Sequence, residues 1–174
     1  HTGLRHGEMR ALEWSDIDLK VGRLVVRRSV ARGKVGTPKN GRAREVSLSQ
    51  TAVAALVRHR HLNKLVFCNP DGSMLTRHQG KKQLSKAVRL SGIAKENVTW
   101  HDLRHTFASH LVMRGAQLKA VQELMGHATI DMTMRYSHLC PSIKRDAVAL
   151  LDQADSTSAA QDRGEKAKRA ARLS

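Results

Sequence analysis

The chain has 174 residues, a length that suits one domain with a hydrophobic core of its own. Its 31 Lys and Arg residues against 15 Asp and Glu residues give a net charge of +16, which predicts a polyanionic partner. Aromatic residues make up only 3 % of the chain, so contacts to the phosphates of a duplex are favoured over base stacking along a single strand.

The cysteines and the apolar runs indicate the compartment. Cys68 and Cys140 lie far apart in the sequence and form neither a disulfide framework nor a C-x-x-C metal pair, which favours a reducing cytosol. No apolar run approaches membrane-spanning length, and no signal peptide opens the chain. We therefore expect a cytoplasmic protein with no membrane partner. Because the chain starts at His1 and enters a motif within a few residues, we also expect it to be a fragment.

The first third of the chain predicts a short helix followed by strands. Residues 8–12 fit a short helix, and residues 14–18 are polar and turn-like. Residues 23–28 are β-branched and basic, residues 33–41 are rich in Gly, Lys and Pro, and residues 44–48 alternate polar with apolar side chains. Together these segments predict a small antiparallel sheet with a basic hairpin tip.

The middle of the chain turns mainly helical. Ser49 can cap a helix that runs to about Arg60 and carries one apolar face, formed by Val53, Leu56 and Val57. Residues 65–67 are short and apolar, which favours a buried strand, and residues 69–72 predict a turn. Residues 76–91 predict another helix, basic on its outer side, which Gly92 ends.

Two further helices are predicted at residues 101–113 and 117–125. The first has apolar side chains at i, i+4 and i+8, which are Leu103, Phe107 and Leu111. The second buries Leu118, Val121 and Leu124 and ends at Gly126. Thr129 is then expected to cap a short helix that carries Met132 and Tyr136 on one side.

The C-terminal part predicts one more helix and a tail. Pro141 opens a helix with an apolar stripe formed by Ile143, Ala147, Leu150 and Leu151. Beyond Gln153 the composition shifts to Ser, Ala and charged residues. We therefore expect a folded domain over residues 1–153 and a mobile basic tail over residues 154–174.

Three segments of the chain combine Arg, His and Tyr residues. They are TGLRHGE at residues 2–8 followed by Leu12, Trp14, Asp16 and Ile17, then HDLRHTFA at residues 101–108, and LMGH at residues 124–127 through Tyr136, Ser137 and His138. In this order and at these separations they resemble the three conserved boxes of the tyrosine recombinases, the phage-integrase family. The resemblance extends to about Leu151. It implies a mainly α-helical catalytic domain with a small antiparallel β-sheet, an α+β fold, whose start is missing.

The resemblance implies a role for six residues. Arg5 and Arg104 correspond to the two catalytic arginines, His101 and His127 to the histidines of the second and third boxes, and Tyr136 to the nucleophile. The family also uses a lysine on a β-hairpin, five residues before an Arg that begins a strand. Counting back from Arg44 gives Lys39, and Lys34 on the same hairpin is the alternative.

The chemistry of phosphodiester cleavage asks for the same side chains. An in-line displacement places charge on the non-bridging oxygens, which the planar guanidiniums of Arg5 and Arg104 are suited to hold. A tyrosine hydroxyl has an ordinary pKa of about 10, so the Tyr136 nucleophile needs cations and a proton acceptor. His101 lies one helical turn before Arg104 and can take that proton or position the phosphate.

The remaining roles concern the leaving group and the partners. Lys39 is a candidate general acid for the 5′ oxygen, and His127 can hydrogen-bond a non-bridging oxygen. These roles require neither a cofactor nor a metal. The family resemblance implies cleavage through a 3′-phosphotyrosyl intermediate, with double-stranded DNA as the partner. It also implies a tetramer on DNA in the full-length protein and a location at the nucleoid.

Several side chains near the boxes have structural interpretations. His101 and His105 have the i, i+4 spacing of a helical zinc pair, but Arg104 would place a cation beside the metal, and no third ligand is evident. Cys140 has no evident activating base, so a small buried side chain is expected. Structural or orienting roles are expected for His105, His110, His138, Glu8, Asp16 and Asp102.

Two other classes of protein remain as alternatives. A type IB topoisomerase would use the same chemistry as a monomer and would relax supercoils without recombination. A non-catalytic DNA-binding module would share the positive charge but would need none of the six residues, and it would form no covalent adduct. The first and third boxes resemble integrases more than topoisomerases.

Overall fold

The structure, a computed structural model, describes residues 1–94 and 97–140, and His1–Leu139 belong to one unit. The helix expected after Pro141, the domain end at residue 153 and the basic tail lie outside the described residues. The N-terminal half contains helix α1 (His6–Arg10), a 3-10 helix (Trp14–Asp16) and five short strands. None of the helices within the described residues is long and apolar enough to span a bilayer.

The strands form two antiparallel sheets within the described residues rather than the single sheet expected. Strands β1 (Ile17–Asp18), β2 (Arg23–Val26) and β5 (Arg44–Ser47) pair in the order β1-β2-β5, with Leu24 opposite Val46. Strands β3 (Ser29–Ala31) and β4 (Lys34–Gly36) form a separate hairpin. The predicted strand over residues 23–28 is too long, because it ends at Val26 and the next two arginines pair with Asp16.

Three of the described helices begin after a residue whose side chain accepts a hydrogen bond from the first turn. The bounds are α2 (Gln50–His59), α3 (Arg77–Leu90), α4 (Trp100–Met113), α5 (Leu118–Met125) and α6 (Asp131–Met134), followed by a 3-10 turn (Ser137–Leu139). The side chains of Ser49, Thr76 and Thr99 accept from backbone N–H groups of α2, α3 and α4. The predicted starts of α2 and α3 are confirmed within one residue.

The core lies between the three-stranded sheet and the segment that follows α2. Its buried members are Leu12, Trp14, Leu24, Val26, Val46 and Val66. Val66 is buried and donates its N–H to the carbonyl of Leu12 at 2.9 Å. The strand expected at residues 65–67 is wrong, because only an isolated bridge joins Leu65 to Glu13. On α2 the predicted apolar face is wrong at Val57, which is exposed, while Ala52 is buried.

Helix α4 buries a different face from the one that its apolar residues predict. Leu103 is 43 % exposed, and the buried positions are Arg104, Ala108 and Val112. The buried face is shifted by one residue from the predicted one, because the Arg104 guanidinium donates to the backbone carbonyls of Gly3 and Met125. A buried cation must keep its hydrogen bonds, and this requirement outweighs the burial of Leu103.

The segment before the tyrosine also differs from the prediction. Helix α6 starts after Ile130 rather than at a Thr129 cap and ends at Met134, so Tyr136 lies beyond it. Met132 is 47 % exposed, whereas Tyr136 is 4 % exposed, so the two side chains do not share a buried face. The tyrosine is therefore held by tertiary contacts rather than by a helical stripe.

Gly126 ends α5 where the chain must turn close to another side chain. Its φ of 61° lies in the left-handed region, which glycine adopts without steric cost. A Cβ at Gly126 would lie 2.7 Å from Cδ of Arg44, a side chain that reaches past the end of α5 from β5. The position therefore requires glycine both for the backbone turn and for the passage of Arg44.

We expect Gly126→Ala to lower the free energy of unfolding by about 1 kcal/mol for the left-handed backbone and by at least about 1 kcal/mol more for the displacement of Arg44. Gly115→Ala is the matched control, because Gly115 follows α4 with a φ of 83° but has open space around its Cβ position. Urea unfolding of both variants measures the difference. Equal losses would contradict the steric role of Arg44.

Candidate active site

A buried carboxylate organises the first arginine. Glu8 is 1 % exposed and accepts from Arg44 Nη1 at 2.8 Å and Arg44 Nη2 at 2.7 Å, a bidentate pair. The same carboxylate accepts from Arg5 Nη1 at 3.0 Å and from the Arg5 backbone N–H at 2.8 Å. Burial alone raises the pKa of Glu8, but hydrogen bonding and the charge of Arg44, together with Arg5, outweigh it and hold that pKa below its ordinary value.

Arg5 and Arg44, the two partners of Glu8, also hydrogen-bond to the C-terminal end of α5. Arg5 Nη2 donates to the carbonyl of Gly126 at 3.1 Å, and Arg44 Nε donates to the carbonyl of Leu124 at 3.1 Å. The last carbonyls of a helix have no intrahelical partner, so they suit cationic donors. Elements α1, β5 and α5 thus meet around Glu8, and Arg5 lies beside the segment that contains His127.

Arg104 is the second arginine, and it is 3 % exposed. Burial and then the positive charge of Arg5 lower its pKa to about 10, although Glu8 opposes the shift. The guanidinium therefore remains protonated at neutral pH. The guanidinium donates to the backbone carbonyls of Gly3 and Met125, which hold it in place, and it contributes a positive charge to the wall of a cavity.

The tyrosine hydroxyl contacts a histidine on α4. A hydrogen bond joins His105 Nδ1 to the hydroxyl of Tyr136, and the two ring centroids lie 5.8 Å apart. Burial raises the pKa of Tyr136, and the cations Arg135 and Arg104 offset only part of that effect. Burial, followed by the neighbouring His101 and Arg135, lowers the pKa of His105, which is therefore neutral at pH 7.

His127 follows Gly126 and faces the same space. Its Nδ1 lies 2.8 Å from the hydroxyl of Thr133, a fully buried residue on α6. Burial and then the charges of Arg104 and Arg5 lower the pKa of His127 to about 4. The ring is therefore neutral at physiological pH, and the contact to Thr133 orients it.

The predicted lysine and the first α4 histidine complete the set. Lys39 is exposed and lies on the connection between β4 and β5, within the segment that joins the paired strands β2 and β5. Lys34 is on β4 and is not among the residues that line the cavity. His101 is exposed near the start of α4, and its ring meets His105 edge-on with centroids 4.4 Å apart.

All six predicted residues line one cavity of about 580 Å³: Arg5, Lys39, His101, Arg104, His127 and Tyr136. His105 and Arg135 also line it, and sequence reasoning gave neither of them a role in the chemistry. The adjacency of His105 to Arg104 in the second box was the available signal, but only the fold brings His105 against the tyrosine. An open cavity with these cations suits a phosphodiester anion.

The acidic residues near the boxes have different roles. Glu8 contacts Arg5, as expected for an orienting residue. Asp16 instead pairs with Arg27 and Arg28 beside the sheet. Asp102 accepts from the backbone N–H and the hydroxyl of Thr99 at the start of α4. Within residues 1–94 and 97–140, no three His, Cys, Asp or Glu side chains come together as metal ligands.

Comparison with known proteins identifies the family. The profile of the Phage integrase family matches residues 1–142, and the chain belongs to this family. The chain is 33 % identical over 142 residues to tyrosine recombinase XerC of Thermodesulfovibrio yellowstonii, covering 79 % of this chain and 46 % of that protein. It is 35 % identical over 149 residues to tyrosine recombinase XerD of Listeria monocytogenes, with the same two coverages. The chain thus spans about half the length of the curated relatives it matches.

The fold of a solved relative agrees. The chain matches XerH site-specific recombinase, solved bound to its difH substrate in a pre-cleavage complex, with a TM-score of 0.63 and 27 % identity. The match covers 86 % of this chain and 43 % of that one. The expected fold class, a mainly helical recombinase catalytic domain with antiparallel strands, is confirmed, although the strands form two small sheets instead of one. These comparisons favour neither a topoisomerase nor a non-catalytic DNA-binding module.

Glu8→Gln should lower the free energy of unfolding by about 3 kcal/mol at pH 7, because it leaves the buried cation Arg44 without its charged partner. The pKa of Glu8 is lowered in the folded state, so its contribution is fully present above the ordinary carboxyl pKa of about 4.3 and is lost as the pH falls through the folded value. The difference between the two proteins should therefore be largest above about pH 5 and shrink on acidification.

Urea unfolding between neutral and acidic pH measures this dependence. Glu45→Gln is the control, since Glu45 is the exposed neighbour of Arg44 on β5 and pairs with Arg23 at 3.4 Å on the surface. Its loss should be small at every pH. A pH-independent difference for Glu8→Gln would contradict the role given to the ionised carboxylate.

Proposed function

We propose that the chain is the catalytic domain of a tyrosine site-specific recombinase, folded over residues 1–153, that cleaves and rejoins duplex DNA without a cofactor or a metal. The observation that carries the proposal is the convergence of residues from the three boxes and the β4–β5 connection on one cavity beside Tyr136. The net charge of +16 and the DNA-bound state of the XerH relative support duplex DNA as the partner.

Arg5 and Arg104 hold the scissile phosphate in this mechanism. A guanidinium carries five N–H donors, so each arginine can bind a non-bridging oxygen in addition to its protein acceptors. Both guanidiniums are already oriented in the folded protein, because Glu8 and the backbone carbonyls hold them at the cavity wall. Little reorganisation is therefore needed when a phosphate binds. His127 adds a third donor, since the Thr133 hydroxyl can donate to Nδ1 and leave the ring proton on Nε2.

The reaction exchanges one ester for another. The Tyr136 oxygen attacks phosphorus in line, the bond from phosphorus to the 5′ oxygen breaks, and Lys39 supplies the proton that the leaving 5′ oxygen needs. The products are a 3′-phosphotyrosyl link and a free 5′-hydroxyl. The 5′-hydroxyl of a partner strand reverses the step. Because the covalent link retains the ester energy, no ATP is consumed.

The whole protein is proposed to work as an assembly. Four copies on two duplexes exchange strands through a Holliday junction, in the cytoplasm at the nucleoid. The recombinase names of the bacterial XerC and XerD relatives support this assignment. A topoisomerase would instead relax supercoils as a monomer without joining new partners, so assaying both activities on one plasmid substrate separates the two readings.

The nucleophile is tested by covalent trapping. The full-length protein that contains this chain should form a covalent adduct on a nicked suicide duplex. Peptide mapping should find the DNA attached to the peptide that contains Tyr136, the only tyrosine of this chain. Tyr136→Phe should form none. Cys140→Ser is the control, because it removes the thiol four residues after Tyr136 in the sequence and should leave the adduct intact. Adduct formation by the Phe variant, detected by denaturing gel and peptide mapping, would overturn the assignment.

The general acid is tested by changing the leaving group. Lys39→Ala should slow single-turnover cleavage of ordinary DNA by at least about 100-fold. A 5′-bridging phosphorothioate leaves as a thiolate that needs little protonation, so it should restore most of that rate. Lys34→Ala, which removes an exposed lysine of β4, is the matched control and should cleave both substrates normally. Sulfur rescue of Lys34→Ala instead of Lys39→Ala would show that the other lysine is the acid.

A further inference from the structure

The second histidine of α4, rather than the first, touches the reacting oxygen. His105 Nδ1 is hydrogen-bonded to the Tyr136 hydroxyl, and the tyrosine side chain is almost completely buried. His101 lies near the exposed start of the same helix and meets His105 edge-on. Neither the family resemblance nor the spacing of the boxes gave His105 a part in the reaction.

We propose that His105 is a catalytic residue that accepts the proton of the Tyr136 hydroxyl during DNA cleavage and returns it during rejoining. The inference rests on the proposed function and assigns the acceptor of the tyrosine proton, which the sequence left open. It leaves His101 free to contact the phosphate.

The protonation states of the site favour this transfer. His105 is neutral at pH 7, because burial and its cationic surroundings lower its pKa, so Nδ1 can accept while Nε2 carries the ring proton. The groups that influence His105 come from α4 and from the segments packed against it: His101, Asp102, Arg104, His127, Arg135 and Tyr136. Burial makes the Tyr136 hydroxyl a weaker acid than usual, so attack on phosphorus without a base would be slow.

The step balances in atoms and charge. The O–H bond of Tyr136 breaks and its proton moves to His105 Nδ1, while the oxygen forms a bond to phosphorus. The electron pair of the breaking phosphorus–oxygen bond goes to the 5′ oxygen, which takes a proton from Lys39. After cleavage His105 is an imidazolium and Lys39 is a neutral amine. Rejoining reverses both transfers, so no other reactant is needed.

His105→Asn tests the proposal because asparagine can place a hydrogen-bonding group near the position of Nδ1 but cannot take a proton. In the full-length protein, this variant should slow single-turnover cleavage of a suicide duplex by at least about 100-fold. His110→Asn is the matched control, since His110 is an exposed histidine on the same helix. It should cleave at the unmutated rate.

A more acidic nucleophile distinguishes proton transfer from mere positioning. Site-specific replacement of Tyr136 by 3,5-difluorotyrosine lowers the pKa of the phenol without removing its oxygen. The fluorinated nucleophile should recover most of the rate that His105→Asn loses, and it should give no such gain in the His110→Asn protein. If circular dichroism shows that His105→Asn is unfolded, His105→Gln takes its place with the same expected results.

Each result decides between the two ideas. Cleavage by His105→Asn within about threefold of the unmutated rate, or a loss that fluorination does not recover, would overturn the role of His105 while an adduct in the unmutated protein upholds the recombinase assignment. Failure of the unmutated protein to form any adduct would remove the proposed function, and this inference with it.

Discussion

The arrangement of the site depends on the ion pairs that the buried carboxylate of Glu8 makes with Arg44 and Arg5. A carboxylate with almost no solvent exposure is tolerated only when charged donors surround it, and here Arg44 and Arg5 do so. Because Arg44 belongs to β5 and also donates to the carbonyl of Leu124, the same contact fixes the end of α5 relative to the sheet. Gly126 follows directly, and its lack of a side chain lets Arg44 pass.

Among the described residues, four cations line the cavity, Arg5, Lys39, Arg104 and Arg135, against one carboxylate, that of Asp131. Arg5 lowers the pKa of Arg104, and both arginines help to hold His127 neutral, which are signs of like charges held close together. A phosphodiester anion would relieve this repulsion. The folded protein thus holds the arginines in place before any ligand arrives, and it stores part of the electrostatic work that a transition state with extra negative charge would recover.

Sequence reasoning succeeded where local patterns determine the structure and failed where distant contacts do. The starts of α2 and α3 follow from Ser49 and Thr76, whose side chains cap the first turn. The face of α4 was wrong because Arg104 finds its acceptors on Gly3 and Met125, distant segments that a helical pattern does not include. The apolar run at residues 65–67 wrongly predicted a strand. Val66 is buried there although only an isolated bridge, between Leu65 and Glu13, joins this segment to another.

The basic charge, the three boxes and the six residues suited to a phosphodiester can be read from the amino-acid order alone, because residue type and local spacing are properties of the chain. Which of these side chains meet depends on the packing of the folded domain. Arg5 reaches the carbonyl of Gly126 across 121 positions, and the Tyr136 hydroxyl meets His105 on α4 rather than a neighbour in its own segment. Such meetings depend on which groups can be buried with their hydrogen bonds satisfied, and that condition applies to the whole packed domain rather than to any one segment.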